Sequence, residues 1–388
     1  MKNNKLIFRK KEDKIIIIVC HCTWYLYNFR YELLKEFNKK GYKLILLSPF
    51  DKYHKKLKRF FIKSNRLLLF RGSENPILEI ITIFNLLFLY IKYKPTMIHH
   101  FSIKPSIYGG IAARLIGIKY VINHITGLGP SFFSNRIKIN LLNNILKPLY
   151  RFSFNYSKAI NIFHNDSDKE TFINKRLTSI KKSIVIKGSG VDAHYFNIKS
   201  KKTIFNKSVR ILFPARIIKE KGVLELVTAC KELWESDYKF TLCIAGEIDK
   251  KNNSCLDNKE LFLLQKNKNI EFLGMSDNIL EVYKTIDIVI LPSWREGLSK
   301  SILEAASMSL PIITSNVPGC NDIIKDKYSG ILVKARSTSQ LKKAIKFFLE
   351  NPSLAIKYGE RARETVLAEF TDKIINNQII SLYEKLLD

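Results

Sequence analysis

The stretch Pro292–Pro311, PSWREGLSKSILEAASMSLP, decides how the rest of the chain is read. Just before it, Ile286 to Leu291 is an apolar run broken only by Asp287, the pattern of a buried strand. Pro292 and Ser293 end that run, a short loop with Gly297 follows, and helical spacing sets in from about Ser299 to Ser309. Two carboxylates bracket the turn: Glu296 in the loop, and Glu304 on the helix between Leu303 and Ala305. A strand–loop–helix unit puts both acids at a strand's carboxyl end, where open α/β sheets bind ligands. Backbone N–H groups at a helix start also favour phosphate.

Working outward, the same grammar repeats. Lys14–Cys20, Tyr42–Leu47, Thr96–Phe101, Lys119–Ile125, Ala159–Phe163 and Ser183–Lys187 read as strands of a first half. Helical spacing lies between them at Arg30–Lys40, Ile77–Tyr93 and Gly109–Leu115, with Thr23–Phe29 as an aromatic loop. Arg136–Tyr156 reads as a further helix, either packed inside the domain or amphipathic at a membrane interface. Phe196–Ser208 is polar, basic and aperiodic, an interdomain linker. The pattern restarts with strands at Arg210–Pro214, Phe240–Ala245, Ile270–Gly274, Ile312–Ile313 and Gly330–Val333. Lys251–Lys259 reads as a polar surface insertion, and three helices close the chain from Thr338 onward. The expected architecture is α/β, two doubly wound sheets: residues 1–198, residues 199–370, and a terminal helix, 371–388, packing back on the first half.

Composition sets the boundaries of function. The chain has 388 residues, 46% of them hydrophobic, enough for two ordinary domains. Its net charge of +30 suits nucleic acid, an anionic membrane surface or phosphate-rich substrates. Lysine is spread throughout, with no module of basic residues and stacking aromatics, so nucleic acid is the rival partner class and not the favoured one. Six scattered cysteines without a CxxC pair read as cytosolic thiols. No secretory signal is read, and the longest apolar run, Ile77–Ile91, carries Glu79 and Asn85 and reads as a buried or interfacial helix. Asp166 and Asp168 have the spacing of a divalent-ion pair, but a helix start explains them as well.

In the second half, three loops supply complementary chemistry. Arg216 and Lys221 offer fixed positive charge for a diphosphate, the one as a planar fork and the other as a point charge. Gly246 and Gly274 let a flat base approach the backbone. Glu296 and Glu304, with Gly297, Leu298 and Ser299, offer acceptors for hydroxyls and N–H groups for phosphate. Together they describe a site for a nucleotide-diphosphate sugar.

The strings FPARIIKEKGVLELVTA, IAGE, FLG and LPSWREGLSKSILEAASMSLPIITSNVPGCNDII resemble the family 4 retaining glycosyltransferases, and the resemblance extends over nearly the whole chain. HHFSIKPSIYGGIAARLIGIKYVINHITGLG is similar to a bacterial subgroup that builds O-antigens, capsules and N-linked glycans on undecaprenyl diphosphate, including α-1,3-N-acetylgalactosaminyltransferases. The resemblance implies a GT-B fold of two Rossmann-like domains, the first for the acceptor and the second for the donor. It implies a UDP-sugar donor, a lipid-diphosphate-linked saccharide acceptor, no metal or other cofactor, and a peripheral place on the inner face of the cytoplasmic membrane. Arg216 and Lys221 would hold the donor diphosphate, Glu304 the ribose, and Glu296 with Gly297–Ser299 the transferred sugar and phosphate. GDP-mannose or a UDP-hexose as donor, and a same-fold epimerase or hydrolase, are the alternatives.

Two positions depart from the family. Thr126, before Gly127, stands where many relatives have a histidine that contacts the donor sugar, and His124 lies two residues earlier, as a stand-in or as a core residue. Asp322 stands where relatives often have Glu. Lys104 is open between an acceptor-diphosphate contact and an ordinary surface lysine, and Arg30 is a further candidate of the same kind.

Overall fold

The computed structural model describes residues 14–70, 75–128, 147–197, 208–249, 252, 254–276 and 278–387. Its contacts divide the chain into two compact units, Met1–Val185 with Ile380–Asp388, and Ile186–Ile379. That division falls ahead of the 198/199 boundary expected from sequence, which lies outside the described residues. Most of the expected helix at 136–156 also lies outside them; residues 147–154 are helical.

The first unit is a seven-stranded parallel sheet: β1 (Ile15–Cys20), β2 (Lys43–Ser48), β3 (Lys63–Arg66), β4 (Met97–Phe101), β5 (Tyr120–Ile125), β6 (Ala159–Phe163) and β7 (Ser183–Val185). The order β3-β2-β1-β4-β5-β6-β7 places the topological switch between β1 and β4. The helices Pro76–Tyr93 and Ile103–Leu115 cover one face, packing Leu86, Leu89, Tyr90, Ala112 and Ala113 on Ile17, Val19, Ile98 and Val121. Gly109 is required there, because a Cβ would lie 2.2 Å from the His100 ring. On the other face, Phe37 stacks on Tyr383 of the terminal helix at 4.4 Å.

Two elements of this unit differ from the sequence expectation. Thr23–Phe29 is a helix, not a loop. Its first turn is held by Asp51, whose carboxylate accepts from the Thr23 hydroxyl and from the Trp24 N–H at 2.8 Å. Cap and helix are far apart in sequence, so the usual local cap signal is missing. β3 is KSNR, a polar edge strand without an apolar pattern to reveal it.

Pro76–Tyr93 is one helix of 18 residues, capped by Asn75 at the Ile77 N–H and ended by Lys94 in the left-handed region. By length and composition it is able to cross a membrane, with mean hydropathy 1.5. Its Leu86, Leu89 and Tyr90 are nevertheless built into the sheet's core, while Ile77, Ile80, Ile81, Phe84, Phe88 and Ile91 form an exposed apolar stripe.

The second unit has six parallel strands: β8 (Val209–Phe213), β9 (Phe240–Ile244), β10 (Ile270–Phe272), β11 (Ile288–Leu291), β12 (Ile312–Ser315) and β13 (Ile331–Val333). Their order, β10-β9-β8-β11-β12-β13, is that of a Rossmann sheet, with the switch between β8 and β11. β11, IVIL, is a continuous apolar run buried along its whole length, and β8 is buried from Ile211 to Phe213, after Arg210. The stretch 251–259, expected to be a surface insertion, leads into a helix, Asn258–Gln265, with a reciprocal capping box between Asp257 and Glu260.

Candidate active site

In the second unit the loops that follow β8, β9, β11 and β12 interlock at the carboxyl edge of the sheet. Gly222, at φ +74°, sits where a Cβ would meet the Pro292 carbonyl at 2.2 Å. The Trp294 N–H donates to the Glu220 carbonyl at 2.8 Å, tying the β11 loop to the β8 loop a second time. Gly246 packs against the backbone of Ala215, with a hypothetical Cβ only 1.9 Å from its carbonyl oxygen. Gly319, at φ +80°, packs on the backbone of Glu296, and its carbonyl accepts from the Ser299 N–H at 3.1 Å. Asp322 accepts from the Gly319 N–H at 2.8 Å and so fixes the Pro318–Gly319 turn. Glycine is needed at 222 and 319 for both conformation and space.

Charged side chains from different loops meet within this frame. Lys221 and Glu296 form an ion pair in which both side chains are largely buried, and the Ser293 hydroxyl donates to the same carboxylate oxygen at 2.7 Å. Arg216 is half-exposed and pairs with Asp249 at 2.6 Å. Each of the two expected phosphate-binding cations therefore has a carboxylate partner. Lys221 is fixed between two loops, whereas Arg216 is held by an exposed pair of the kind worth about 0.2–1 kcal/mol.

The helix Lys300–Ser307 is anchored by Ile302, Leu303, Ala305 and Ala306, all fully buried or nearly so. Burial of each large side chain is worth about 1.5–3 kcal/mol. The Ser299 hydroxyl caps the helix at the Ile302 N–H. Glu304 is thereby held on a fixed element, where the Tyr283 hydroxyl donates to it at 3.3 Å. Burial raises its carboxyl above the ordinary range, opposed by Lys300 and by the Tyr283 hydrogen bond. Leu298 packs beneath Gly188. Gly274 lies after β10 at φ +64°, with open space where a Cβ would stand.

The expected residues of the first unit fall differently. Thr126 and Gly127 follow β5 and are partly exposed, with Gly127 at φ +141°. His124 is completely buried, bonded to Arg30 and His99, with its Nε2 3.0 Å from His164 Nε2, so it is an interior residue. Lys104 pairs with Glu79 at 2.6 Å. Asp166 pairs with Lys169, and Asp168 is buried at a helix start capped by Asn165. Sequence reading missed Asp249, Tyr283 and Ser293. The first two reach the site only through the fold, whereas Ser293, three residues before Glu296, was a legible local signal.

Residues 15–165 match a family described as glycosyl transferase 4-like, and residues 195–365 match glycosyl transferases group 1. The chain is 27% identical over 377 residues, 95% of its length and 97% of the relative's, to the N,N'-diacetylbacillosaminyl-diphospho-undecaprenol alpha-1,3-N-acetylgalactosaminyltransferase of Campylobacter jejuni. It is 30% identical over 257 residues, 63% of each chain, to the Escherichia coli UDP-Gal:alpha-D-GlcNAc-diphosphoundecaprenol alpha-1,3-galactosyltransferase. Among solved structures it resembles a glycosyltransferase from Rickettsia africae, with TM-score 0.73, 20% identity, and 97% and 99% of the two chains covered. It also resembles Anabaena HepE in complex with UDP-glucose, with TM-score 0.75, 15% identity, and 96% and 99% covered.

Proposed function

The chain belongs to the group 1 glycosyltransferases and has the GT-B fold, and on that premise we propose that it transfers an N-acetylhexosamine, with retention, from a UDP-sugar to an undecaprenyl-diphosphate-linked saccharide. The observation that carries the donor half is the interlocked carboxyl edge of the second unit, where Lys221, Arg216, Glu296 and Glu304 reach one set of loops. Lys221 and Arg216 receive the diphosphate, and Arg216 exchanges its exposed partner Asp249 for phosphate oxygens. Glu304 accepts from the ribose hydroxyls. Glu296, oriented by Ser293 and Lys221, meets the transferred sugar. As the glycosidic bond to phosphate breaks, the two cations stabilise the charge on the departing diphosphate. That phosphate takes the proton from the acceptor hydroxyl, with no metal ion required. The names of the Campylobacter and Escherichia relatives both support the lipid-linked acceptor; that of the Campylobacter relative supports the N-acetylhexosamine, whereas the Escherichia relative is named for galactose transfer.

We place the protein on the inner face of the cytoplasmic membrane, held by its first unit. The exposed stripe of the helix Pro76–Tyr93 provides the apolar contact. Basic residues around aromatic rings provide attraction to anionic headgroups, with Lys56 over Tyr27 at 5.0 Å and Arg59 over Tyr31 at 5.5 Å. The test is sedimentation with vesicles of neutral and of anionic lipid, followed by transfer assays on a lipid-linked acceptor. Binding only to anionic vesicles, weakened by salt, supports the placement; equal recovery in the supernatant with both refutes it.

A further inference from the structure

The first unit contains a polar cluster that the donor chemistry does not use. Arg30 is 1% exposed. Its Nε donates to the Tyr25 hydroxyl at 3.1 Å, and its Nη2 lies 3.1 Å from His124 Nε2 and 3.3 Å from His164 Nε2. A guanidinium only donates, so His124 Nε2 is an acceptor. His124 Nδ1–H then donates to His99 Nε2 at 3.3 Å, and His99 Nδ1–H donates to the Tyr383 hydroxyl at 2.7 Å. Burial and the guanidinium hold all three imidazoles well below their usual range, hence neutral.

The cluster thus carries one fixed positive charge. Among the described residues none of the Arg30 hydrogen bonds goes to a carboxylate, and Nη1, with its two N–H donors, is buried without a partner. Burial of an unpaired charge is expensive unless something offsets it. Its location suggests what does. Arg30 ends the helix after β1, and its guanidinium lies 5.3 Å from the ring of Phe101, which ends β4. His124 sits beside Phe101 in β5, and His164 follows β6. This is the carboxyl edge of the sheet at its switch point, where open α/β sheets take ligands. Among the described residues no group could hold a metal ion, and the guanidinium beside His124 and His164 repels a cation.

We propose that Arg30 anchors an anion site in the first unit, which takes a phosphate or diphosphate group on the Nη1 edge with His164 at its rim. Given the transfer reading above, on which this rests, the source is the diphosphate of the lipid-linked acceptor; inorganic diphosphate offers the same chemistry. The test uses the full chain with 13C-labelled histidine, of which there are seven, and four probes: inorganic diphosphate, a short-chain prenyl diphosphate, the matching prenyl alcohol, and UDP. Inorganic diphosphate and the prenyl diphosphate shift the His124 and His164 signals and bind at least tenfold more weakly to Arg30→Gln, while the alcohol shifts neither signal and the affinity for UDP, which the second unit takes, is unchanged. Tighter binding of the prenyl diphosphate assigns the lipid source, equal binding assigns the free anion, and both uphold the site. Unshifted histidine signals at saturating diphosphate, or equal affinity in Arg30→Gln, overturn it. Should Arg30→Gln fail to fold, the wild-type shifts and His164→Gln decide. No turnover is involved, so failure of the transfer reading leaves this result intact.

Discussion

Replacing Lys221 with Met keeps the length of the side chain and removes the cation from Glu296. Loss of one partner from a fully buried ion pair costs about 3–5 kcal/mol. Here 19% of the Lys221 side chain and 13% of the Glu296 side chain remain exposed, and Ser293 still donates to the carboxylate. The cost to the second unit is therefore set at about 2 kcal/mol, below the buried-pair range. The double variant Lys221→Met/Glu296→Gln leaves no orphaned charge and recovers to within about 1 kcal/mol of the parent, as when both partners are neutralised together. Transfer is not recovered, because the diphosphate loses a charge-assisted hydrogen bond worth about 1.5–3 kcal/mol, or about 10–100-fold in kcat/KM. Urea unfolding in a Trp24→Phe background makes Trp234 and Trp294, both in the second unit, the only tryptophan reporters. A single variant as stable as the parent, or a double variant less stable than the single, refutes the claim that this pair fixes the β11 loop.

Glu304→Gln removes the carboxyl's share of the pH dependence of UDP binding and leaves that of the UDP terminal phosphate. In the parent, acidification through the raised Glu304 value protonates the ribose acceptor and weakens binding at a higher pH than an ordinary carboxylate would, although the same protonation favours the folded state; calorimetry across pH reads both. Gly222→Ala destabilises the second unit by about 1–3 kcal/mol, because φ +74° and the Pro292 carbonyl both oppose a Cβ; an unchanged urea midpoint contradicts this. Phe84→Asp/Phe88→Asp lowers vesicle binding and leaves thermal stability unchanged, since both rings are exposed. The first unit loses stability as pH falls below about 6.5. The unfolded chain then takes protons that His99, His124 and His164 refuse in the fold, which gives a limiting slope of about 1.4 kcal/mol per pH unit for each histidine; a flat profile from pH 7 to 5 contradicts their burial as neutral rings.

The sheet strands were legible where burial on both faces demands unbroken apolar runs, as in IIIIVC of β1 and IVIL of β11. β3 was not, because an edge strand with KSNR carries no such demand. The capping box Asp257–Glu260 has a local signal, but it lies inside a polar run whose composition alone reads as surface loop. The residue types of the candidate site were visible in strand–loop–helix contexts. Their partners were not, since Asp249 beside Arg216 and Tyr283 beside Glu304 depend on how separate loops fold back. His124 shows the limit most clearly. Alternation along β5 permits either face, and only the packing of Arg30 and His164 decides that it is interior.

Sugar transfer from a UDP-sugar to a lipid-diphosphate acceptor is tested most directly by UDP release from the purified protein. A panel of nucleotide sugars is incubated with and without an undecaprenyl-diphosphate-linked saccharide. UDP release from a UDP-N-acetylhexosamine that requires the acceptor, and falls about 10–100-fold in Lys221→Met, is the predicted result. Release that is independent of the acceptor, or release only from a GDP-sugar, contradicts it.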